Sequence, residues 1–518
     1  MLKLSFWPLW IALVVYCALI ATNLFSGHHI LFNLEPYPDG LWYLSQAKSL
    51  IQGHGLTMRY EDVVFAGKVP PVYSLALSLG FLVSSSPALF YVTNAILGMI
   101  STGFLWAVLR RWQKRPVVLL ALLLLYVFHG YILWIVGLPM AENVALSLFL
   151  GSIWILTLPS LSRKHQVVFG GLLIGLMLTK YAYIFTVTSL GLVFFWRVYK
   201  ERPKTEWRWL LSAALTVGLL ITAWFIAHGF NPFDAFLPRS FGRVGSTGIT
   251  YYSLEFMARN VKFYFFTLLG APTTFLWQGF PLTSPALSVG FVTGLLLSWR
   301  TKKQLLVTVL LTVLLLSQFV LFSLFYVIDA RYVIFSIPIL VLGLGLGVAR
   351  LQERVKTPLL LLILVSVFGL HLLWQASFFK QIVATNWLQR SRAWQYEAVV
   401  HFNRVLSEEQ DSYLITALPP VFVDFYRQGS YQLLPLSSSQ EFANKNQKIW
   451  GDDINYTNLS ETYTQLIREG KKVYISNAYL TAQSQFTTDY QHLQQQFTFT
   501  PVSTGCENTC DVYALALP

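Results

Sequence analysis

The sequence predicts an α-helical polytopic membrane protein of about 11 spans with a small C-terminal α/β domain. Three observations carry this. Only 12% of the 518 residues are charged while 55% are hydrophobic, against about 25% charged in soluble domains, and mean hydropathy is +0.54. The charge is unevenly divided: residues 380–518 hold 10 of the 37 Lys+Arg and 13 of the 24 Asp+Glu, leaving 27 basic and 11 acidic residues in 1–379. Finally, short basic clusters punctuate the apolar runs at 110–115, 163–164, 197–208, 300–303 and 350–356. Such loops mark the cytoplasmic face of a multi-pass protein. The basic excess is therefore topological, and no nucleic-acid partner is expected.

With Lys3 and these clusters placed inside, spans fall near 6–25, 88–109, 117–134, 141–158, 208–228, 283–299, 304–327, 331–349 and 357–376. The first run is too long for a signal-peptide core and has no small-residue cleavage site, so it reads as a retained span. Residues 166–197 lie between two inside clusters and must form a hairpin of two short passes, its tip near Thr179, Lys180 and Tyr181. The N-terminus is then inside and the C-terminus outside. A full pass at 261–280 would put 300–303 outside, so that segment reads as interfacial or partly inserted.

From about residue 385 the pattern changes. SYLITAL (412–418), YQLLPL (431–436), KVYISN (472–477), FTFTPV (497–502) and DVYALAL (511–517) read as short strands. RAWQYEAVVHFNRVLSEEQ (392–410) and ETYTQLIREG (461–470) have helical apolar spacing, with Gly470 as a stop. Alternating elements of this kind suggest an α/β layer domain, expected over 380–518 beside a membrane domain over 1–379. It has neither a Gly-rich phosphate loop nor a nucleophile elbow, and reads as a lid or acceptor-docking module. Cys506 and Cys510 are placed to pair across a small loop in an oxidising compartment. His28, His29 and His54 lack ligand spacing, so they make a weak case for a metal site.

In this topology three acids of the membrane part, Glu201, Glu206 and Glu353, are cytoplasmic; the other eight face outward. Ionisable groups at membrane depth are costly and usually functional. Those at span ends are Asp39, Glu142, Lys180, Asp329 and Arg331. The first outer loop holds PDGLWYLSQAKSLIQGHGL (38–56), an amphipathic segment opened by a Pro-Asp-Gly turn and ended at Gly53. Such a helix lies along the membrane surface with Asp39 at its beginning. GKVPPVYSLALSLGFL (67–82) then feeds a second, partly inserted segment just after Lys68.

These pieces, with MAENVALSLFL (140–150), GLLIGLMLTKYAYIF (171–185) and DARYVIFSIPIL (329–340), resemble the GT-C membrane glycosyltransferases, of the bacterial type that includes the lipid A aminoarabinose transferase and the protein O-mannosyltransferases. The resemblance covers roughly residues 1–376 and implies a polyprenyl-phosphate sugar donor with an acceptor attacked on the outer face. It implies that Asp39 is the catalytic acid of the first loop, that Lys68 contacts the donor phosphate, that Glu142 is the acid opening the fourth span, and that Arg331 and Tyr332 form the motif opening a late span. The sequence departs from the pattern where Gly40 follows Asp39, where Gly67 precedes Lys68, and where Val69 separates that lysine from the prolines. These departures weigh against a divalent metal, which the residues neither require nor exclude; no other cofactor is implied.

The chemistry is consistent with these residue types. Sugar transfer from a lipid phosphate needs a base for the acceptor proton and cations for the leaving phosphate. One carboxylate with Lys68, Lys180 and Arg331 suffices, and implies a single inverting displacement. The alternatives are a transporter or flippase of lipid-linked precursors, and a scaffold. A transporter places its ionisable groups near the midplane in paired broken helices, and only 166–197 fits that description. A scaffold leaves Asp39, Lys68, Glu142 and Arg331 without a role. The expected setting is the inner or plasma membrane, with the active site and C-terminal domain extracytoplasmic. Expected partners are a polyprenyl-phosphate-linked sugar, membrane lipids and an acceptor whose class the residues do not specify.

Overall fold

The computed structural model describes residues 6–24, 39–60, 63–66, 69–83, 89–201, 218, 253–275, 278–299, 302–325, 330–376, 394–407, 409, 411–438, 440, 458–482, 484–506 and 509–518. Two compact units are present: Met1–Phe25, Pro70–Ala76 and Phe90–Ala384 in one, and Ser26–Val69, Leu77–Leu89 and Thr385–Pro518 in the other. The expected span at 208–228 and the residues Glu35, Glu61, Asp62, Lys68, Asp234 and Asp329 lie outside the described residues.

The first unit is helical. Its N-terminal half runs through α1 (Trp7–Leu24), α4 (Leu89–Leu109), α5 (Pro116–Val127), α6 (Gly130–Val136), α7 (Glu142–Leu156), α8 (Arg163–Met177) and α9 (Ile184–Glu201). Helices follow at Leu254–Leu268, Pro285–Trp299, Lys302–Ser323, Ser336–Leu351 and Thr357–Trp374. Among the described residues four helices are long and apolar enough to cross a bilayer, or five if α5 and α6 count as one broken span. Starts follow local chemistry. Pro116 opens α5, where its missing N–H costs nothing, and Ser162 with His165 forms a capping box on α8.

The expected span at 117–134 is formed by two helices, with a bend of 57° between α5 and α6. A break in an apolar setting frees backbone groups that no water can satisfy. Here side chains replace the water: Tyr131 N donates to His129 Nδ1 at 3.3 Å and Gly130 N to Gln375 Oε1 at 3.0 Å. His371, its ring centroid 5.0 Å from that of His129, completes this buried polar patch through Ser284 Oγ at 3.1 Å. The segment 261–280 is not one helix either. Helix 254–268 ends at Gly270 (φ +86°), and Pro272–Phe275 pairs antiparallel with Gln278–Pro281.

Helices 285–299 and 336–351 touch backbone to backbone through glycines. A Cβ on Gly294 would overlap the Gly343 carbonyl oxygen, and one on Gly347 would lie 2.6 Å from the Gly294 Cα. Small residues at such a crossing let backbones touch, the usual basis of helix association in lipid. At the C-terminal end of α7, Arg111 donates to Trp154 O at 2.7 Å and the buried Arg197 to the carbonyls of Leu156 and Leu158. These arginines satisfy carbonyls that the helix end leaves open.

The second unit contains α2 (Asp39–Ile51), ended by Gly53 (φ +84°), and the hairpin β1 (Thr57–Tyr60) with β2 (Val63–Ala66). It also holds a five-stranded sheet with its strands in the order 432–435, 412–416, 472–476, 512–516 and 498–503. β5 (Ser412–Thr416) is parallel to β6 (Gln432–Pro435) and β7 (Lys472–Ser476), whereas β9 (Val512–Ala516) is antiparallel to β7 and to β8 (Thr498–Ser503). All five expected strands and both expected helices form, at 394–406 and 459–468. Ile415, Leu434, Tyr463, Ile475, Phe486 and Leu493 make its core, and Cys506 is bonded to Cys510.

The glycine crossing makes a direct prediction. Gly294→Leu forces two backbones apart, and overpacking of this kind costs about 1–3 kcal/mol. The thermal midpoint of the purified protein in detergent should fall, whereas Gly170→Ala, at a position with nothing within 4 Å of the added Cβ, should leave it unchanged. Equal midpoints in both variants would refute the crossing.

Candidate active site

Glu142 is the first residue of α7 and is only 1% exposed. It reaches this position through the turn at 137–141, and three amide side chains or hydroxyls shape that turn. Asn94 Nδ2 donates to Val136 O at 3.1 Å and Leu138 O at 2.7 Å; Asn143 Nδ2 donates to Ile135 O at 2.7 Å. Tyr73 OH then donates to Asn94 Oδ1 at 2.8 Å. Every one of these groups is buried, so the bend is held by hydrogen bonds that have no competing water.

Lys180 sits in the turn between α8 and α9, next to the short 3-10 stretch Tyr181–Tyr183. Thr179 Oγ1 donates to Gly175 O at 2.7 Å, closing α8, and Val72 N donates to Leu178 O at 3.2 Å, tying the start of α3 (Pro71–Phe81) to the same turn. The Lys180 ammonium lies 2.9 Å from Glu142 Oε1, with its side chain 15% exposed. Burying a carboxylate alone is prohibitive; a paired lysine makes it tolerable. Glu142 Oε2 has no hydrogen-bond partner among the described residues.

Aromatic rings frame the ammonium. Lys180 Nζ lies 4.9 Å from the Tyr332 ring centroid and 6.0 Å from that of Tyr183, within reach of a cation–π attraction. Tyr332 stacks on Phe322 at 5.3 Å, and Phe335 stacks on Phe149 of α7 at 4.5 Å while touching Tyr183 at 4.8 Å. Arg331, 8% exposed on the 3-10 turn Ala330–Val333, acts electrostatically on Glu142. The site therefore gathers one buried carboxylate, two cations and a wall of rings from three separate stretches of chain. Cations in so dry a place are suited to an anion.

No protein-family model and no curated protein sequence matches this chain. Solved structures do. ArnT from Cupriavidus metallidurans bound to undecaprenyl phosphate is similar at a TM-score of 0.66 and 14% identity, over 98% of each chain. The apo form of the same protein gives 0.63 and 15%, over 98% of this chain and 97% of that one. The chain has the ArnT fold. That is the GT-C fold the sequence resembles, and it extends beyond residue 376 into the C-terminal part.

Within the ArnT fold, Glu142, Lys180, Arg331 and Tyr332 come together although 38 residues separate the first two in sequence. Asp39 is the first residue of α2, as expected from the Pro-Asp-Gly turn; its side chain lies outside what is described, as does Lys68 altogether. Among the described residues no group of three His, Cys, Asp or Glu converges as metal ligands would. The sequence reading missed Tyr73, Asn94 and Asn143. Two asparagines inside apolar runs were the available signal, since buried amides in a membrane helix seldom lack a partner.

The ion pair is testable on its own. Lys180→Met leaves Glu142 buried without its cation and should cost about 3–5 kcal/mol of stability, while Lys180→Met/Glu142→Gln should recover most of that loss. Thermal unfolding in detergent of the two variants decides it; equal destabilisation of single and double variants would contradict the pairing.

Proposed function

We propose that this chain is a membrane glycosyltransferase that moves a sugar from a polyprenyl-phosphate donor to an acceptor on the outer face of the cell membrane. The observation that carries this reading is the full-length match to an ArnT structure bound to undecaprenyl phosphate. The gathering of Lys180 and Arg331 at one dry, ring-lined place supports it, because a lipid phosphate needs such partners. No described feature favours a transporter: the broken pair α5–α6 has no counterpart repeat among the described residues.

The proposed reaction is a single displacement. Asp39 accepts the proton of the acceptor hydroxyl as its oxygen bonds to the anomeric carbon. The bond from that carbon to the phosphate oxygen breaks, its electron pair leaving with polyprenyl phosphate. Inversion at the sugar carbon follows from one displacement. Lys180, Arg331 and Lys68 neutralise the leaving phosphate. An ammonium has three donors; Glu142 engages Lys180 at Oε1 and leaves others for phosphate. Glu142, buried and already paired, serves better to hold Lys180 than to take the acceptor proton. Tyr332 flanks the same ammonium.

The reading includes an orientation: residues 110–115, 197–208 and 350–356 cytoplasmic, the C-terminal domain outside. A cysteine replacing the exposed Gln495 should react with an impermeant thiol reagent added outside sealed cells, and one replacing the exposed Glu353 should not. The reverse pattern would remove the outward-facing site.

Turnover is tested by incubating the purified protein with a panel of polyprenyl-phosphate sugars and measuring released polyprenyl phosphate. Asp39→Asn keeps size and helix capping but cannot accept a proton, so release should stop at normal expression. Lys180→Ala should raise the donor KM more than the acceptor KM. Wild-type turnover in Asp39→Asn would remove the base assignment.

A further inference from the structure

The helix that begins with Asp39 is held by the C-terminal domain. Both belong to one compact unit, and the short helix Pro420–Tyr426 packs against α2 and against β1. Much of α2 is buried: Tyr43, Leu44, Gln46, Ala47 and Ser49 are at most 4% exposed. Ser49 Oγ also lies 2.8 Å from Thr57 Oγ1, joining the end of α2 to the hairpin. An amphipathic helix merely lying on lipid has no need to bury Gln46 and Ser49 in protein.

The 420–426 helix is in turn anchored to the domain's core. Asn403 Nδ2 donates to Tyr426 O at 3.0 Å, and Asn403 Oδ1 accepts from Gln428 N at 3.1 Å and from the buried Tyr431 OH at 3.0 Å. Arg427 bridges Asp424 at 2.7 Å and donates to Tyr431 O at 2.6 Å. Across from this lattice stands Lys48 of α2. Burial lowers its pKa, the Asp424 carboxylate opposes that shift, and Arg427 adds to it. Asp424 is thus ion-paired with Arg427 at the end of its own helix, which packs against α2, and acts electrostatically on Lys48 of α2.

We propose that Asp424 is a positioning residue for Asp39: by engaging Lys48 while bridged to Arg427, it makes α2 move as part of the C-terminal domain and so sets where the base stands. The inference rests on the proposed function for its catalytic consequence, but not for the contact itself. It gives the C-terminal domain a task in the transfer step beyond holding an acceptor. Misplacing a reacting group by about 1 Å can cost 10²-fold in rate, so a loosened α2 should act on turnover more than on donor binding.

The test compares wild type, Asp424→Asn, Asp424→Glu and Lys48→Gln by hydrogen exchange and by kinetics. In Asp424→Asn and Lys48→Gln, amides of residues 41–51 should exchange faster while those of 412–416 and 472–476 stay protected. In the same variants kcat should fall by about tenfold or more with the donor KM little changed, and Asp424→Glu should retain both protection and rate. Lys48→Gln alters only α2, so it carries the test even where Asp424→Asn weakens folding of the domain. Unchanged exchange in α2 would overturn the proposal, as would faster exchange with unaltered kcat. If wild-type protein released no polyprenyl phosphate from any donor, the proposed function and with it the positioning role would fail; the exchange comparison would still decide whether Asp424 holds α2.

Discussion

A carboxylate with almost no solvent around it, Glu142 at the first turn of α7, imposes much of what is seen around it. Removing a charge from water costs several kcal/mol even after relaxation, by rough estimate, so a cation must be brought to it and kept there. Lys180 meets that need at 2.9 Å. Bringing it requires α8 and α9 to turn sharply at 178–183, and bringing Glu142 requires α6 and α7 to turn at 137–141. Each turn frees backbone groups in an apolar setting, and each is repaired by side chains: Asn94 and Asn143 at one, Thr179 at the other.

The turns at 137–141 and 178–183 bring together one cluster, the Glu142–Lys180 pair with its ammonium facing the rings of Tyr332 and Tyr183, and Arg331 acts on the same carboxylate. The other polar patch, at His129, His371, Ser284 and Gln375, repairs the bend between α5 and α6 and leaves the glycine-mediated crossing of 285–299 with 336–351 to supply close packing.

Much of this was legible in the sequence, for identifiable reasons. The five C-terminal strands were readable because short β-branched and aromatic runs alternate with turn residues, and α2 was bounded because Gly53 takes a positive φ. Lys180 was placed at a hairpin tip by parity alone, since two basic clusters had to share one side. Hydropathy carries no direction, so the 57° bend inside the run 117–134 was invisible although His129 and Gly130 mark it. The helix 420–426 was missed because PVFVDFY has no helical polarity of its own and is defined by what it packs on. The helix 484–496 was also missed, although Phe486, Tyr490 and Leu493 recur at helical spacing in a polar stretch. The β1–β2 hairpin was passed over as a polar connection. Of the side chains that cluster around Glu142, the sequence singled out the charged ones and not the amides that shape the adjoining turn. Charge is conspicuous in an apolar sequence, whereas an asparagine becomes informative only when the carbonyls it must serve are known.

The most direct test is a structure of the purified protein with undecaprenyl phosphate, determined by cryo-electron microscopy in lipid nanodiscs. The account predicts phosphate density within hydrogen-bonding distance of Lys180 and Arg331, with Lys180 still engaging Glu142. Phosphate bound away from both cations, with the Lys180–Glu142 pair closed off from it, would contradict the account.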